Sequence, residues 1–484
     1  MELGINFELL STMDNTEKEN NLDSKSLKYL PWLAAIALFM QALDSTILNT
    51  ALPTIAVELN QSPLKLQSII VSYTLTVALL IPLSGWLADK FGTKRIFQIA
   101  VFIFTLGSVF CAFSPNLTTL ILSRIVQAVG GSMMVPVARL AILYAYPKAE
   151  LLKVINFITI PGMIGPLLGP SLGGVLVETL SWHWIFLVNI PFGIFLIWMS
   201  RFGIPDFKKP VFKFDMKGLI LFGGGVTFLT LLLELLSTKL VSNWMLFIIG
   251  LVTFGLLIAY IFYARVKKHP LINLNLFKIR TLKIGIIGNI ITRLGIGGMP
   301  FLIPLLLQVG YGYTATVAGL MMIPAALSNL IAKSTVVPIV NKLGYRNMLI
   351  WNTLFLGILI CLFFFVNTES PIEFLIPLLF IHGGVSSIQF TAMNTLSLAD
   401  LDQNNSSDGN SMLTITQQLS QTFGISVASL VLGFFKEFHT ITSGVDVQAF
   451  RYSFLFLGIL TILSTFIFVQ LKPNDGMAMS GHKE

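Results

Sequence analysis

The stretch Gly85-Trp-Leu-Ala-Asp-Lys-Phe-Gly-Thr-Lys-Arg95 returns in shortened form as Asn341-Lys-Leu-Gly-Tyr-Arg346. Its core, Asp89 to Gly92, aligns with Asn341 to Gly344 at an offset of 252 residues. Each copy follows the second apolar segment of a block of six. A repeat at this distance predicts two homologous six-helix bundles, and parallel repeats of this kind place a substrate site near the midplane between the halves.

The chain around these copies consists mainly of apolar segments long enough to cross a bilayer. Of its 484 residues 55% are hydrophobic and 11% are charged, and the mean hydropathy is +0.81. Soluble domains are roughly 45 to 50% apolar and 25% charged, so a water-soluble globular protein is excluded. The two cysteines lie inside separate apolar segments, which gives no sign of a disulfide framework or a cysteine metal site. At about 20 residues per span, we predict fourteen spans: 31–52, 66–88, 96–114, 118–140, 153–177, 184–201, 216–236, 243–264, 283–307, 315–340, 347–366, 373–397, 411–435 and 452–471.

The predicted fold is an all-α polytopic membrane protein built from two six-helix bundles with two inserted helices. The first bundle takes residues 30–203, and a linker at 204–282 carries the two inserted spans. The second bundle takes residues 283–471. The polar ends, 1–29 and 472–484, are expected to be cytoplasmic tails, the first of them flexible.

The basic residues predict how the chain is oriented in the membrane. With fourteen spans both termini lie on one side, and 23 of the 31 Lys and Arg residues fall on that side against 4 on the other. Basic loops stay in the cytoplasm, so both termini are expected there. The net charge of +8 is explained by this topology, and no nucleic-acid partner is expected.

Two charges in the predicted spans are the main candidates for function. By helical rise, Asp44 in span 1 lies roughly 12 Å below the outer edge of the bilayer and Arg124 in span 4 roughly 9 Å below it, so the two could meet. A charge in the bilayer costs at least about 2.5 to 3.5 kcal/mol and needs a reason. One interpretation is a static ion pair that fixes packing; the other is that Asp44 takes up and releases a proton.

Further polar residues are candidates for the wall of a substrate cavity. Gln127 shares a helix face with Arg124, and Gln41 shares one with Asp44. Glu234 could be a second proton or cation site or an interfacial carboxylate, and His382 could titrate or simply pack. Arg139 and Lys333 lie near span ends and are expected to snorkel. The expected cavity residues are Gln41, Asn49, Gln127, Glu234, Arg293 and His382.

Span 5 carries a stripe of glycines and three prolines. Gly162, Gly165, Gly169 and Gly173 leave one flank of this helix almost bare, which permits close approach of a neighbouring helix. Each proline removes a backbone donor and bends the rod. Together these features predict a tightly packed, deformable element of the kind that a gate between bundles needs.

Four stretches of the sequence resemble the 14-spanner drug:proton antiporter family of the major facilitator superfamily, over residues 31 to about 475. These are 85–95, 120–131, 165–174 and the pair 43–53 with 181–191. The resemblance implies the major facilitator fold and a coupling role for Asp44. It implies a gating motif that latches helix ends, at Gly85, Asp89, Gly92, Lys94 and Arg95, and an antiporter motif typical of exporters, at Gly165, Pro166, Gly169, Pro170, Gly173 and Gly174.

The expected function is proton-driven export of amphipathic or lipophilic small molecules by alternating access, through a bacterial inner membrane. A dedicated exporter of one endogenous metabolite or siderophore is an alternative. An antiporter-like subunit of a respiratory complex is a remote alternative. Such subunits need lysines at the centres of their helices, whereas Lys333, the only lysine well inside a predicted span here, lies near a span end. The expected partners are a small-molecule substrate, protons and the lipid bilayer, and the chain is expected to be a monomer. No enzyme, cofactor or metal site is expected, because the sequence holds no catalytic cluster, metal-ligand spacing or phosphate loop.

Overall fold

A computed structural model describes residues 24–211, 213–238, 241–268, 270–366, 372–401, 406–438 and 447–476. All regular secondary structure in these residues is helical. The first helix among them, Ser24–Ile47, begins inside the predicted tail 1–29, and the rest of that tail, 1–23, lies outside the described residues. Thirteen helical runs among them are long and apolar enough to cross a membrane. They are Lys28–Thr50, Pro63–Phe91, Thr93–Ala112, Leu117–Ala145, Lys153–Thr179, Trp184–Gly203, Met216–Leu236, Asn243–Val266, Arg280–Gly310, Ala315–Phe365, Phe374–Leu398, Asp408–Lys436 and Val447–Val469.

One of these runs contains two spans. Ala315–Phe365 has 51 residues, and a continuous helix of that length would be about 77 Å long against a hydrocarbon core of roughly 30 Å. The backbone turns at Gly344, where φ is 70° and ψ is 161°. Residues 315–343 and 345–365 therefore form spans 10 and 11, and the described residues contain fourteen spans, as predicted.

The turn at Gly344 matches the turn at Gly92 between spans 2 and 3. Gly92 has a φ of 102° and a ψ of 138°, so both glycines lie in the left-handed region that other residues rarely adopt. A Cβ at Gly92 would also overlap the Asp206 carboxylate. The repeat seen in the sequence thus has a structural cause, because each copy ends a span with a turn that requires glycine.

The two bundles repeat one packing scheme. In the first bundle span 1 packs on spans 5 and 6, spans 2 and 3 both pack on span 4, and span 3 packs on span 6. In the second bundle the corresponding pairs are 9–13, 9–14, 10–12, 11–12 and 11–14. Contacts between the bundles run mainly through spans 5 and 10 and through spans 2 and 13. The repeat relates span 5 to span 13 and span 2 to span 10, so it converts one of these contact pairs into the other. This is expected for two bundles related by an axis along the membrane normal.

The inserted spans lie at the edge of the molecule. Only 22% of span 7 and 11% of span 8 is buried, against 33 to 67% for the other spans. Span 7 packs on span 8 and on span 13, with a smaller contact to span 2. The pair therefore faces lipid on most sides and lies beside the second bundle.

Candidate functional site

Asp44 and Arg124 form an ion pair in the interior of the first bundle. The Arg124 Nη1 atom donates to Asp44 Oδ2 at 2.8 Å, and each side chain is only 1% exposed. Spans 1 and 4 therefore bring the two charges together, as their similar depth predicted. Since a lone charge at this depth is costly, the pairing explains how both charges are tolerated inside the protein.

Neutral side chains complete the coordination of the Asp44 carboxylate. Gln127 Nε2 donates to Oδ1 at 2.8 Å and Asn189 Nδ2 donates to the same oxygen at 3.0 Å. Gln127 Oε1 in turn accepts from Arg124 at 2.6 Å. Ser108 Oγ accepts from both amides, at 2.7 Å from Gln127 and 3.3 Å from Asn189. The carboxylate thus accepts hydrogen bonds from one charged and two neutral side chains, which together hold it in one orientation.

Three members of this cluster were not selected from the sequence. Asn189 belongs to the stretch 181–191, which predicted the family but no role for this side chain, and no pattern pointed to Ser108 or Tyr73. The Tyr73 ring lies under the Arg124 guanidinium, 4.2 Å from ring centroid to Cζ, a distance typical of a cation–π contact. Their shared signal is a polar group in the middle of an apolar span, which is a functional or packing clue in any membrane helix.

A layer that contains Gln41 separates this cluster from a cavity between the bundles. Gln41 Nε2 donates to the Gly131 carbonyl at 3.1 Å. Gln41 lies one helical turn from Asp44 on span 1, and Gly131 lies one turn from Gln127 on span 4. Gln41 and Gly131 line the cavity, whereas Asp44 and Arg124 do not. In this conformation the carboxylate is 1% exposed and does not reach the cavity.

The cavity consists of two chambers. An inner chamber of about 300 Å³ has walls from spans 1, 2, 4 and 13, and an outer chamber of about 690 Å³ continues from it. The two share the lining residues Ile81, Val135, Pro136, Arg139 and Thr414. The outer chamber ends among the connections after spans 2, 6 and 8, at Asp89, Asp215 and Asn273. Most of the Lys and Arg residues of the chain lie in the connections on this side, so we call it the basic face. We call the opposite side the far face.

The bundles meet at the far face. A Cβ on Gly174 of span 5 would overlap the Ala315 carbonyl of span 10, and one on Gly319 would overlap the Pro170 carbonyl. Glu178 Oε1 accepts from the Thr316 amide at 2.8 Å across the same boundary. The molecule is therefore closed at the far face and open at the basic face.

The remaining glycines of the antiporter motif pack span 5 against span 1. Added Cβ atoms at Gly165, Gly169 and Gly173 would press on residues 42–50 of span 1, which include the turn that carries Asp44. Thr50 Oγ1 also donates to the Pro170 carbonyl at 3.0 Å. The motif helix Lys148–Thr179 remains continuous through Pro161, Pro166 and Pro170. Span 5 thus touches both the charged helix and the far-face contact.

The gating motif joins span 2 to span 4 and to the segment after span 6. Asp89 Oδ1 accepts from Tyr144 at 2.9 Å, and the Asp89 carbonyl accepts from the Lys209 amide at 2.9 Å. Lys94 Nζ donates to the Arg201 carbonyl at 2.6 Å. Gly85 has open space around its Cβ position, and Arg95 is exposed. In this conformation the described contacts of the motif lie within the first bundle and its linker.

The other cavity candidates lie away from the two chambers. Arg293 of span 9 lies 4.0 Å above the Phe390 ring, and its Nε donates to Asn289 Oδ1 at 3.4 Å. His382 is buried in the second bundle, against Phe363. Neither of them lines either chamber, and the same holds for Asn49, which is buried in the turn at the end of span 1, and for Glu234 in span 7. In the part of the chain that is described, no group of three or more His, Cys, Asp or Glu residues could hold a metal ion.

Comparison with known proteins places this geometry in context. The family model described as Major Facilitator Superfamily matches twice, at residues 34–284 and 285–481. The chain is 43% identical over 454 residues to a proposed multidrug resistance protein, MdtD, of Shigella boydii, covering 93% of the chain and 96% of the relative. Its counterpart from Escherichia coli strain 55989 is 44% identical over 454 residues, with the same coverage. A Pectobacterium carotovorum MdtD is 43% identical over 462 residues, covering 95% and 98%.

Solved structures with the same fold are more distant in sequence. A D-xylose–proton symporter superposes with a TM-score of 0.67 at 14% identity, covering 93% of the chain and 99% of the symporter. A peptide transporter bound to sulfate gives 0.67 at 14% identity, with 94% and 96% covered. At this level of identity the likeness concerns the fold alone.

Proposed function

Since the chain belongs to the Major Facilitator Superfamily and is a secondary transporter and not an enzyme, we propose that it is a proton-driven exporter of amphipathic or lipophilic small molecules. The observation that supports this proposal is the Asp44 carboxylate, buried beside Arg124 one helical turn from the inter-bundle cavity. Relatives of similar length are named for multidrug resistance, which favours export over import.

The cycle uses the carboxylate as the group that takes up the proton. In the state seen here, open at the basic face, Asp44 is paired with Arg124, and the paired form is the one that loads cargo. Opening of the far face would expose the carboxylate to a proton from that side. Protonation of Asp44 breaks its charge pairing with Arg124, and the cargo leaves. When the protein returns to the state that is open at the basic face, Asp44 releases the proton.

The driving force is sufficient for useful efflux. Moving one charge through about 150 mV provides roughly 3.5 kcal/mol, at about 2.3 kcal/mol per 100 mV. At about 1.4 kcal/mol per tenfold ratio, exchange of one proton for one uncharged molecule sustains a gradient of about 300-fold. We further propose that the basic face is cytoplasmic in a bacterial inner membrane, with both termini there, because basic loops remain inside.

A transport assay with purified protein tests this function. In proteoliposomes with an imposed pH gradient, the wild type should accumulate dansyl-labelled test compounds, and a protonophore should abolish the accumulation. Asp44→Asn should fold but fail to accumulate them. Glu58→Gln, which removes an exposed carboxylate outside the cluster, is the matched control and should behave as wild type. Undiminished accumulation by Asp44→Asn would refute the assignment.

A panel of compounds in the same assay separates broad drug export from export of one endogenous metabolite or siderophore. The respiratory-subunit alternative is set aside by the family match over both halves of the chain. The only lysine well inside the ends of a predicted span, Lys333, is exposed near the basic end of span 10, which does not fit a proton relay through helix centres.

A further inference from the structure

Arg139 lies at the junction of the two cavity chambers. Its place near the end of span 4 predicted that it would snorkel to the membrane surface, but the side chain has a different environment. Arg139 lines both the inner and the outer chamber and is exposed. Its exposure is therefore to the space between the bundles, on the route from the basic face to the Gln41 layer.

The positive charge of Arg139 is not balanced within the described residues. Arg139 has no hydrogen bond or ion pair to any of them. The described lining of the inner chamber contains no other charged side chain; its polar groups are neutral and include those of Gln41, Ser45, Gln417 and Gln418. The chamber beyond Arg139 is therefore a site whose described walls carry amide and hydroxyl groups and one free cation.

The described acidic groups near the route accept hydrogen bonds from other residues and make no hydrogen bond or ion pair with Arg139. Asp408, which lines the outer chamber, accepts from Asn273 Nδ2 at 3.3 Å. Asp44 is paired with Arg124 and does not line the chambers. In the outer chamber, Asp89 accepts from Tyr144. Asp215 is buried, and its carboxylate accepts from the Leu271 and Gly218 amides and from the Tyr263 hydroxyl.

We propose that Arg139 selects cargo by charge and that the exported compounds are amphipathic molecules with an anionic group, such as a carboxylate. This inference rests on the proposed export function and specifies its substrate class. The guanidinium binds the anionic group through charge-assisted hydrogen bonds. The apolar part of the cargo contacts the aliphatic lining, for example Leu38, Val77 and Ile81. A lipophilic cation is repelled at the same point.

Equilibrium binding to the purified full chain in detergent tests this selection without any gradient. The probes share one fluorophore and differ in charge: dansylglycine is anionic, dansylglycinamide neutral and dansylethylenediamine cationic. Binding is read from the rise in dansyl emission. We expect the wild type to bind the anion about tenfold more tightly than the neutral amide, which is about the value of one charge-assisted hydrogen bond in a wet site. The cation should bind most weakly.

Variants separate charge selection from structure. Arg139→Gln should lose the preference, with equal affinities for the anionic and neutral probes, whereas Arg139→Lys should keep it. Lys333→Gln also removes one positive charge, but Lys333 does not line the chambers. This variant should leave the ratio of anionic to neutral probe affinity unchanged. Equal binding of both probes by the wild type, or a preference retained by Arg139→Gln, would overturn the inference.

The outcome is separate from that of the transport assay. If the wild type shows the anion preference but no accumulation driven by a pH gradient, the proposed proton coupling fails and charge selection at Arg139 stands. If accumulation is proton-driven but favours the cationic probe, the exporter assignment stands and this inference fails.

Discussion

The Asp44–Arg124 pair makes a quantitative prediction about stability. Replacing Arg124 by Gln leaves a carboxylate that is 1% exposed with only the Gln127 and Asn189 donors. Replacing Asp44 by Asn leaves an equally buried guanidinium whose charge has no partner in the cluster. Removal of one member of a buried ion pair typically costs about 3 to 5 kcal/mol, because the other charge remains uncompensated. We expect a loss of that size for each single variant.

The double variant, Asp44→Asn with Arg124→Gln, should lose much less than the two single variants together. With both charges gone, the two introduced amide side chains can exchange hydrogen bonds with the amides of Gln127 and Asn189, and replacement of a buried pair by neutral groups of similar volume is often nearly neutral. We expect a total loss of about 3 kcal/mol or less. The coupling energy of the cycle is then at least about 3 kcal/mol.

Reversible unfolding in mixed micelles measures these values. SDS titration followed by tryptophan fluorescence reports on the 7 tryptophans of the chain, among them the fully buried Trp182. The control is Glu58→Gln, which should change the unfolding free energy by less than about 0.5 kcal/mol, as surface substitutions do. If the double variant loses the sum of the two single losses, the pair is not coupled and the account of the cluster is wrong.

Three other predictions concern glycines and the far face. Gly92→Ala should reduce the yield of folded protein, since this position has a φ of 102° and its Cβ would overlap the Asp206 carboxylate; size-exclusion chromatography after expression checks this. Gly174→Ala should open the far face, because its Cβ would overlap the Ala315 carbonyl, and labelling of a cysteine introduced at that face should become at least about fivefold faster, the lower end of typical coupling effects. Glu178→Gln weakens the cap that this carboxylate makes across the two bundles, so labelling at the same cysteine should rise about two- to fivefold, as expected for about 0.5 to 1 kcal/mol of lost helix-end stabilisation. Unchanged labelling in both variants would mean that the contacts between spans 5 and 10 do not hold the far face shut.

The sequence predicted the fold well because apolar length is a local property. Fourteen segments followed from composition, and the repeat at Gly92 and Gly344 placed them in two bundles. Helical rise alone put Asp44 and Arg124 at similar depth, and the structure joins them at 2.8 Å. What these successes share is that they depend on distance along one helix or on the number of helices.

Properties that depend on how a helix is rotated about its own axis were harder to predict from the sequence. Arg139 was expected to snorkel to the surface, but the rotation of span 4 turns it toward the space between the bundles. Asn189 and Ser108 are uncharged, so their polarity stood out less from the surrounding apolar residues than that of Asp44. The closure of the far face depends on contacts between spans 5 and 10, which are far apart along the chain and follow no local sequence pattern.

The measurement that tests the coupling role of Asp44 most directly is the dependence of steady-state accumulation on the pH gradient, in proteoliposomes with the membrane potential clamped at zero. For exchange of one proton per dansylglycine, the wild-type accumulation ratio should rise about tenfold per pH unit, since a pH unit and a tenfold ratio both correspond to about 1.4 kcal/mol. Asp44→Asn should still exchange labelled for unlabelled compound, but its ratio should remain at about one at every gradient. An Asp44→Asn variant with the wild-type slope would show that the proton is carried elsewhere.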